Sequence, residues 1–489
     1  MAPESIDPPT PRPARAGAAA SRSGAAAPRP VPAFIRPRPP RVALWAAYTL
    51  VLASALAGLF LVDYLAGLHT VLIIALAVTA ALTFRTGQPR LAICAAVAAV
   101  IGLAWAIGHW YPLYVALSLL AIGVAVIGSA VELRRSRPRT RLRRAIRAVV
   151  VIVIAAPTAV LTAVLGITAI TPVPLITALQ ATLFPADNSF RPAATTTRTA
   201  EGAGHVEIND IRYGRTYPNS YLDVHLARPG VKAPTVIYVH GGGYTWGDKG
   251  SGDPTSGTTS GALAIYKPFL DAGYNVVAVD YALAPTYNYP VPVLQLSEAV
   301  KFLEKHGSEY GISTDRVALV GGSAGGQLVG QFAALQTNPD YSRQVGIPAS
   351  IPASSIRMVV FNSALLDLTR FADTGFAPID WIFLQCGRAY FGGGFLTSDD
   401  VREANVIDAI DAHFPPTYIA DGNFSTFHAQ ANDLDARMTE LKIPHTFTFF
   451  PRSVAQLFHG YETGSSPQAA ENLKKELAYM AKYLPAAAR

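Results

Sequence analysis

A glycine-rich turn around one serine constrains the fold of this chain more than any other feature. Gly321-Gly322-Ser323-Ala324-Gly325 follows an apolar run at 316–320 that is typical of a buried strand, and it precedes a helical pattern at 327–335. Glycines let such a strand-to-helix turn adopt a strained backbone and pack closely on both sides of the serine. The turn therefore predicts an α/β sheet with the Ser323 hydroxyl projecting above a strand end, where a nucleophile is placed.

A second glycine-rich loop lies about eighty residues upstream. Residues 235–239 form a short, β-branched apolar run that predicts a buried parallel strand, and His240-Gly241-Gly242-Gly243 follows it directly. The backbone N–H groups of Gly241, Gly242 and Ala324 are predicted to point at an oxygen that becomes negative when Ser323 attacks a carbonyl carbon. Preorganised donors of this kind are each worth about 3 kcal/mol of transition-state stabilisation.

A histidine near the C-terminus supplies a base. Residues 445–450 alternate like a strand, and His459 follows in a loop with Gly460. A neutral imidazole can take the serine proton and return it to a leaving group. Each motif alone occurs often by chance, but the three together, each at the end of a predicted strand and in this order, point to acyl transfer through Ser323 and His459.

Taken with Asp280-Tyr281-Ala282-Leu283-Ala284-Pro285, these motifs resemble those of the hormone-sensitive-lipase-like and related carboxylesterase branches of the α/β-hydrolase superfamily. The resemblance covers the chain from about Gly202 to the C-terminus and includes HGGG at 240–243, GGSAGG at 321–326 and HGY at 459–461. It implies an α/β-hydrolase fold, with a mostly parallel eight-stranded sheet and flanking helices. It also implies hydrolysis of carboxylic esters through a serine acyl-enzyme, with no cofactor.

The acid that orients His459 departs from the family pattern. Family members place it a few residues after the strand at 417–420, where this chain has Ser425. Asp421 is the first candidate, Asp367 is the second, and a dyad without an acid stays open. We interpret Asp433 and Asp435 as part of the solvated face of the next helix.

The first 175 residues have a different, much more hydrophobic composition than the predicted catalytic domain. The chain is 51% hydrophobic, and its mean hydropathy is +0.27. This hydrophobicity comes mainly from uncharged or nearly uncharged stretches of about twenty residues. Each is long enough to cross a bilayer as a helix. They lie at about 43–62, 66–84, 91–109, 112–131 and 148–170. They predict an all-α transmembrane bundle of about five helices, which places the protein in the lipid bilayer.

The distribution of arginines predicts how this bundle is oriented in the membrane. Seven precede the first stretch, two follow the second and eight lie within 134–147, whereas the turns around 63 and 109–112 contain no Lys or Arg. The positive-inside rule then predicts a cytoplasmic N-terminus and an extracytoplasmic catalytic domain. Residues 1–194 hold eighteen Arg and five acidic residues, so the net charge of +7 comes from the membrane-flanking loops and gives no support for nucleic-acid binding.

The predicted organisation has four parts: a Pro/Ala/Arg-rich disordered tail at 1–40, the bundle at 41–172, a connector at 173–201 and the catalytic domain at 202–489. Residues 371–414 form an aromatic-rich insertion that we interpret as a cap. His and Cys spacing predicts no metal site, and no P-loop is present. Two alternatives to ester hydrolysis stay open: a cell-envelope acyltransferase that uses the same acyl-enzyme, and a membrane scaffold or transporter with a hydrolase-like binding domain.

Overall fold

The structure, a computed structural model, describes most of the chain. The described residues are 41–60, 66–108, 111–135, 140–142, 145, 160, 164, 166–168, 170–183, 188–190, 192, 195–199, 205–250 and 262–486. The predicted tail at 1–40 and most of the predicted fifth span at 148–170 lie outside these residues.

Four helices begin the described chain: α1 (Arg41–Phe60), α2 (Ala66–Arg85), α3 (Pro89–Gly108) and α4 (Tyr111–Arg135). They pack around a small-residue and leucine-rich core that includes Leu44, Val51 and Leu76. Their outer surface is apolar as well, since Ile107 is 87% exposed and Val100 is 64% exposed. By length and composition, one helix among the described residues, Ala116–Arg135, could cross a membrane, and Arg41–Ala57, His69–Arg85 and Pro89–Ala104 are shorter apolar helices.

A mixed sheet dominates the rest of the molecule. Its strands are β1 (Thr196–Thr199), β2 (Val206–Arg212), β3 (Tyr221–Leu226), β4 (Thr235–Val239), β5 (Asn275–Val279), β6 (Val317–Gly322), β7 (Ile356–Asn362), β8 (Thr417–Asp421) and β9 (His445–Phe449). The spatial order is β1-β2-β3-β5-β4-β6-β7-β8-β9. All pairs from β5 to β9 along this order are parallel, and the pairs that join β1, β2, β3 and β5 are antiparallel.

The expected α/β-hydrolase sheet is therefore present, but in the described part of the chain it has nine strands, one more than the eight expected. The additional strand, β1, comes from the predicted connector and pairs with β2, from Thr196 opposite Asn209 to Thr199 opposite Val206. Without it, β2 would be the edge of the sheet with unpaired backbone groups. The threonine run of β1 has the β-branched character that suits such an edge. The prediction of a connector at 173–201 did not take this character into account.

Ten helices accompany the sheet among the described residues: α5 (Val173–Thr182), α6 (Ala262–Asp271), α7 (Val291–His306), α8 (Ala324–Thr337), α9 (Pro339–Val345), α10 (Ala377–Phe391), α11 (Asp399–Glu403), α12 (Val406–Ala409), α13 (His428–Glu440) and α14 (Pro467–Tyr483). The central strands are buried on both faces, because successive side chains point to opposite sides. Ile237 of β4 belongs to the core that includes α7 and α8 residues, whereas its neighbour Val236 belongs to the core with α6 and α14. Full burial of one such side chain contributes roughly 1.5–3 kcal/mol.

The insertion at 371–414 contains α10, α11 and α12. Much of its aromatic content is internal, as expected: the Tyr390 ring stacks on Tyr244 at 3.9 Å between centroids, and Phe395 is buried. Helix α10 also contacts the N-terminal helices, since Trp381 packs against their core. The Arg388 guanidinium donates hydrogen bonds to the backbone carbonyls of Thr168 and Ile170. This helix therefore connects the N-terminal helices to the sheet domain.

Candidate active site

Ser323 lies at the junction between β6 and α8 in a conformation that few side chains adopt. Its φ is 53° and its ψ is −124°, outside the usual allowed regions for an L-residue. Its N–H donates to the Asn362 carbonyl at 3.1 Å. A Cβ at Gly325 would lie 2.2 Å from the Val239 carbonyl oxygen, and one at Gly321 would lie 2.4 Å from the Gly325 oxygen. Only glycine fits at these two positions.

The HGGG loop lies directly against this turn. A Cβ at Gly241 would lie 3.2 Å from the Ser323 Cβ and 2.9 Å from the Gly322 oxygen. Gly242 and Gly243 have positive φ values of 104° and 57°, which direct the loop back over the end of β4. Ala324 is the first residue of α8, and the first four N–H groups of a helix have no partner within that helix.

His240 is a structural part of this loop. Its ring stacks on Tyr281 at 4.2 Å between centroids, and its Nδ1 lies 2.8 Å from the Gly241 oxygen. The Tyr281 hydroxyl donates to the His240 carbonyl at 3.0 Å. Burial lowers the pKa of His240 to about 4, so the ring is neutral near pH 7 and holds the loop by packing.

His459 is placed by side chains of the loop after β8. Asn423 donates from Nδ2 to the Phe450 and Ala455 carbonyls, both at 2.8 Å, and its Oδ1 accepts from the Leu457 N–H at 3.0 Å. A Cβ at Gly422 would lie 2.6 Å from the Leu457 oxygen, so the two loops are in close contact. Phe383 and Phe427 contact the imidazole edge to face, at 5.5 Å and 5.3 Å between centroids.

One cavity of about 530 Å³ brings these parts together. Its lining includes Ser323, His459, Gly241 and Gly242. Apolar groups from α6, α10 and α14 form part of the wall: Ile265, Phe269, Phe383 and Leu473. Another part is polar and consists of Glu462, Thr463, Ser465 and Ser466. The cavity is mixed in polarity, and both the serine and the imidazole line it.

Asp421, the first candidate for the acid, is the last residue of β8 and is fully buried. It reaches the imidazole through Thr426, whose hydroxyl donates to Asp421 Oδ1 and lies 3.2 Å from His459 Nδ1. The Gly422 N–H also donates to Oδ1, at 2.7 Å. Burial raises the pKa of Asp421 to about 7, against the hydrogen bonds from Thr426 and Gly422, which lower it. Burial also lowers the pKa of His459 to about 4.

Asp367, the second candidate, has other partners. Its carboxylate accepts hydrogen bonds from Thr369, Arg370 and Asn405, and none of its described hydrogen bonds goes to His459. Asp433 pairs with Arg370 at 2.6 Å, and Asp435 lies 3.2 Å from His445. The structure thus assigns these three carboxylates to local ion pairs.

Sequence reasoning missed two polar residues in the cavity wall, Ser363 and Glu462. The Ser363 hydroxyl donates to Glu462 Oε1 at 2.8 Å and accepts from the Gly460 N–H at 3.1 Å, which ties the end of β7 to the His459 loop. Burial raises the pKa of Glu462 well above its usual range. The position of Glu462 three residues after His459 was the available signal.

The sheet domain is similar in sequence to known esterases. A BD-FAE family model matches residues 222–436. Esterase LipI of Mycobacterium tuberculosis is 29% identical over 253 residues, which cover 50% of this chain and 72% of the relative. Carboxylesterase NlhH of the same species is 27% identical over 262 residues, 52% of this chain and 75% of the relative. Esterase B from Lactobacillus rhamnosis has the same fold, with a TM-score of 0.50 at 20% identity over 63% of this chain and 94% of that one.

The C-terminal half is a serine ester hydrolase. It has the α/β-hydrolase fold, as the resemblance to esterases predicted, and the expected class of reaction is confirmed. The matches to LipI, NlhH and the family model span about half of the chain or less.

Proposed function

We propose that this protein is a membrane-anchored carboxylic ester hydrolase that acts through an acyl-enzyme on Ser323. One observation carries the assignment of residues: Ser323, on a turn that only flanking glycines permit, shares a single cavity with His459 and the Gly241–Gly242 backbone. A nucleophile, a base and N–H donors in one cavity are the parts that acyl transfer needs.

The reaction begins when His459 Nε2 takes the Ser323 proton and Oγ attacks the ester carbonyl carbon. The N–H groups of Gly241, Gly242 and Ala324 stabilise the oxygen that becomes negative, and the imidazolium then gives its proton to the leaving alcohol. Water repeats the sequence and releases the acid. Asp421 keeps the imidazole in the tautomer that leaves Nε2 free to accept a proton.

The cavity wall indicates the class of substrate. Ile265, Phe269 and Leu473 offer an apolar surface to an acyl group, and the polar side chains at 462–466 face a part of the substrate that bears hydroxyl groups. We therefore propose esters of small molecules, lipids or saccharides as substrates.

The test uses the purified full-length chain with p-nitrophenyl esters of increasing acyl length and with a fluorophosphonate probe. We expect hydrolysis and labelling, and Ser323→Ala should lose both, with a fall of at least about 10³-fold in kcat. Ser308→Ala, which removes an exposed serine, serves as the matched control and should behave like the parent. A folded parent chain that neither hydrolyses esters nor reacts with the probe would contradict the proposal and favour a binding domain.

We also propose that the N-terminal helices anchor the enzyme in a membrane, with a cytoplasmic N-terminus and an extracytoplasmic catalytic domain. Their apolar outer surface supports this, because side chains such as Ile107, Val100 and Ile74 face outward, and exposed apolar patches of this size mark lipid or protein contacts. The arginine distribution supports the orientation.

Two experiments test anchoring and orientation. After cell fractionation, the chain should resist extraction by alkaline carbonate, and a C-terminal alkaline phosphatase fusion should be active. Release into the carbonate supernatant would contradict anchoring, and an inactive but expressed fusion would contradict the orientation.

Acyl transfer to an alcohol is the second candidate, favoured by the polar wall of the cavity. There, Glu462, Ser465 and Ser466 offer hydrogen-bond partners to an acceptor hydroxyl. With sugar or glycerolipid acceptors added to the ester assay, an acyltransferase would form new ester at the expense of free acid. Release of free acid alone at every acceptor concentration would exclude this candidate.

A further inference from the structure

Thr426 stands between the two groups that form the orienting pair in other serine hydrolases. It lies five residues after Asp421, is 5% exposed, and follows Ser425, whose φ is 52°. Its hydroxyl makes two contacts: it donates to Asp421 Oδ1, and its Oγ lies 3.2 Å from His459 Nδ1. Its position in the structure is thus that of a bridge from a buried carboxylate to the catalytic imidazole.

The single proton of a hydroxyl group gives this bridge a direction. Because the Thr426 proton is directed to the Asp421 oxygen, the oxygen of Thr426 presents a lone pair to His459 Nδ1. Nδ1 must then carry the hydrogen of the neutral imidazole, and Nε2 is the unprotonated nitrogen. That tautomer is the one in which Nε2 can accept the Ser323 proton.

We propose that Thr426 is a positioning residue that relays the orienting effect of Asp421 to His459 through its hydroxyl. The inference rests on the proposed function and adds a member to its catalytic machinery. When Ser323 attacks, its Oγ forms a bond to the carbonyl carbon, the carbonyl π pair moves to oxygen, and the serine proton moves to Nε2. The Nδ1 hydrogen stays on the imidazolium and is held by Thr426 Oγ, so no proton passes through the relay.

The relay also accounts for the departure of this chain from the family pattern. An acid at Ser425 was expected, but the carboxylate lies four residues earlier, at the end of β8. From the strand end, Asp421 is bonded to the Gly422 N–H and to Thr426. A hydroxyl in the next loop spans the remaining distance to the imidazole.

Thr426→Val tests the relay, because valine keeps the shape of threonine and removes its hydroxyl. In the full-length chain with a p-nitrophenyl ester, we expect kcat to fall about 10²-fold, with KM changed less than about twofold, since the lining of the cavity does not include Thr426. Thr426→Ser restores the hydroxyl and should keep kcat within about threefold of the parent. Ser425→Ala, at the neighbouring buried position, is the matched control and should keep the parent kcat.

A double-mutant cycle distinguishes a relay from a packing role. If Asp421 acts through Thr426, the Asp421→Asn, Thr426→Val double variant should lose no more kcat than the more impaired single variant, whereas independent roles would give multiplied losses. Thr426→Ala, with the same expected loss, replaces the valine variant if that one melts at a markedly lower temperature.

The outcomes separate the relay from the proposed function. Parent-like kcat in Thr426→Val, equal losses in the serine and valine variants, or multiplied losses in the cycle would each overturn the relay while Ser323→Ala inactivation upholds the esterase. A folded parent chain that is inert to both the ester and the fluorophosphonate would overturn the two together.

Discussion

The two sides of the catalytic cavity are held in different ways. On the nucleophile side, Ser323 and the HGGG loop are fixed by backbone in contact with backbone: Gly325 lies against the Val239 and His240 carbonyls, and Gly241 against Gly322. On the base side, Gly422 also lies against the Leu457 and Phe458 carbonyls, but the His459 loop is held in addition by side chains, chiefly Asn423, Ser363 and Thr426. Steric exclusion leaves one residue type at each glycine, whereas a hydrogen bond can be supplied by several residue types from several positions.

Gly325→Ala tests the steric side and should have the largest effect. The new Cβ would lie 2.2 Å and 2.5 Å from two backbone oxygens, neither of which can rotate away. We expect a loss of at least the roughly 1–3 kcal/mol of unfolding free energy that overpacking costs, together with loss of esterase activity, because the turn that presents Ser323 must open.

The matched control is Gly393→Ala, where a new Cβ would meet no atom within 4 Å. Thermal melting and ester hydrolysis of the two variants should differ sharply. Equal melting temperatures and equal activities would show that the elbow relaxes easily, and the contrast between the two sides of the cavity would disappear.

This contrast explains what the sequence could and could not predict. The close approach of Ser323, Gly241 and Gly242 could be predicted because it demands glycine at set spacings, and those spacings are visible as motifs. The strands behind them were found because parallel strands buried on both faces read as continuous apolar runs. The acid was left open between Asp421 and Asp367. The contact of Asp421 with His459 runs through Thr426, a residue type with no local signature. Strand β1 was missed for a similar reason: four residues at a sheet edge carry too little pattern.

Asn423→Ala tests the base side. The substitution removes three hydrogen bonds and leaves the Phe450 and Ala455 carbonyls without a donor from this side chain. A displacement of the His459 loop by about 1 Å should lower kcat by about 10²-fold, with a smaller loss of stability than at Gly325. Asn423→Asp, which keeps the acceptor for the Leu457 N–H but not the donors, should fall between the parent and the alanine variant. Parent-like kcat in Asn423→Ala would mean that the loop is held by its backbone after all.

The pH profile gives the smallest and most specific effect on the base side. Burial raises the pKa of Asp421 to about 7 and lowers that of His459 to about 4. The imidazole of His459 is therefore already neutral above pH 5. Within the relay, the group that still titrates is the Asp421 carboxyl, which orients the imidazole when it is ionised. We expect kcat/KM to rise by up to about tenfold per pH unit between pH 5 and 7 and to level off above 7. Asp421→Asn should be slower at every pH and lose this inflection.

Glu476→Gln is the matched control and should keep the inflection. Burial also raises the pKa of Glu476 to about 7, but the described hydrogen bond of that carboxylate goes to Asn362 and not to the His459 relay. An inflection that survives in Asp421→Asn and vanishes in Glu476→Gln would transfer the orienting role to another carboxylate and show that the side-chain network on this side is arranged differently.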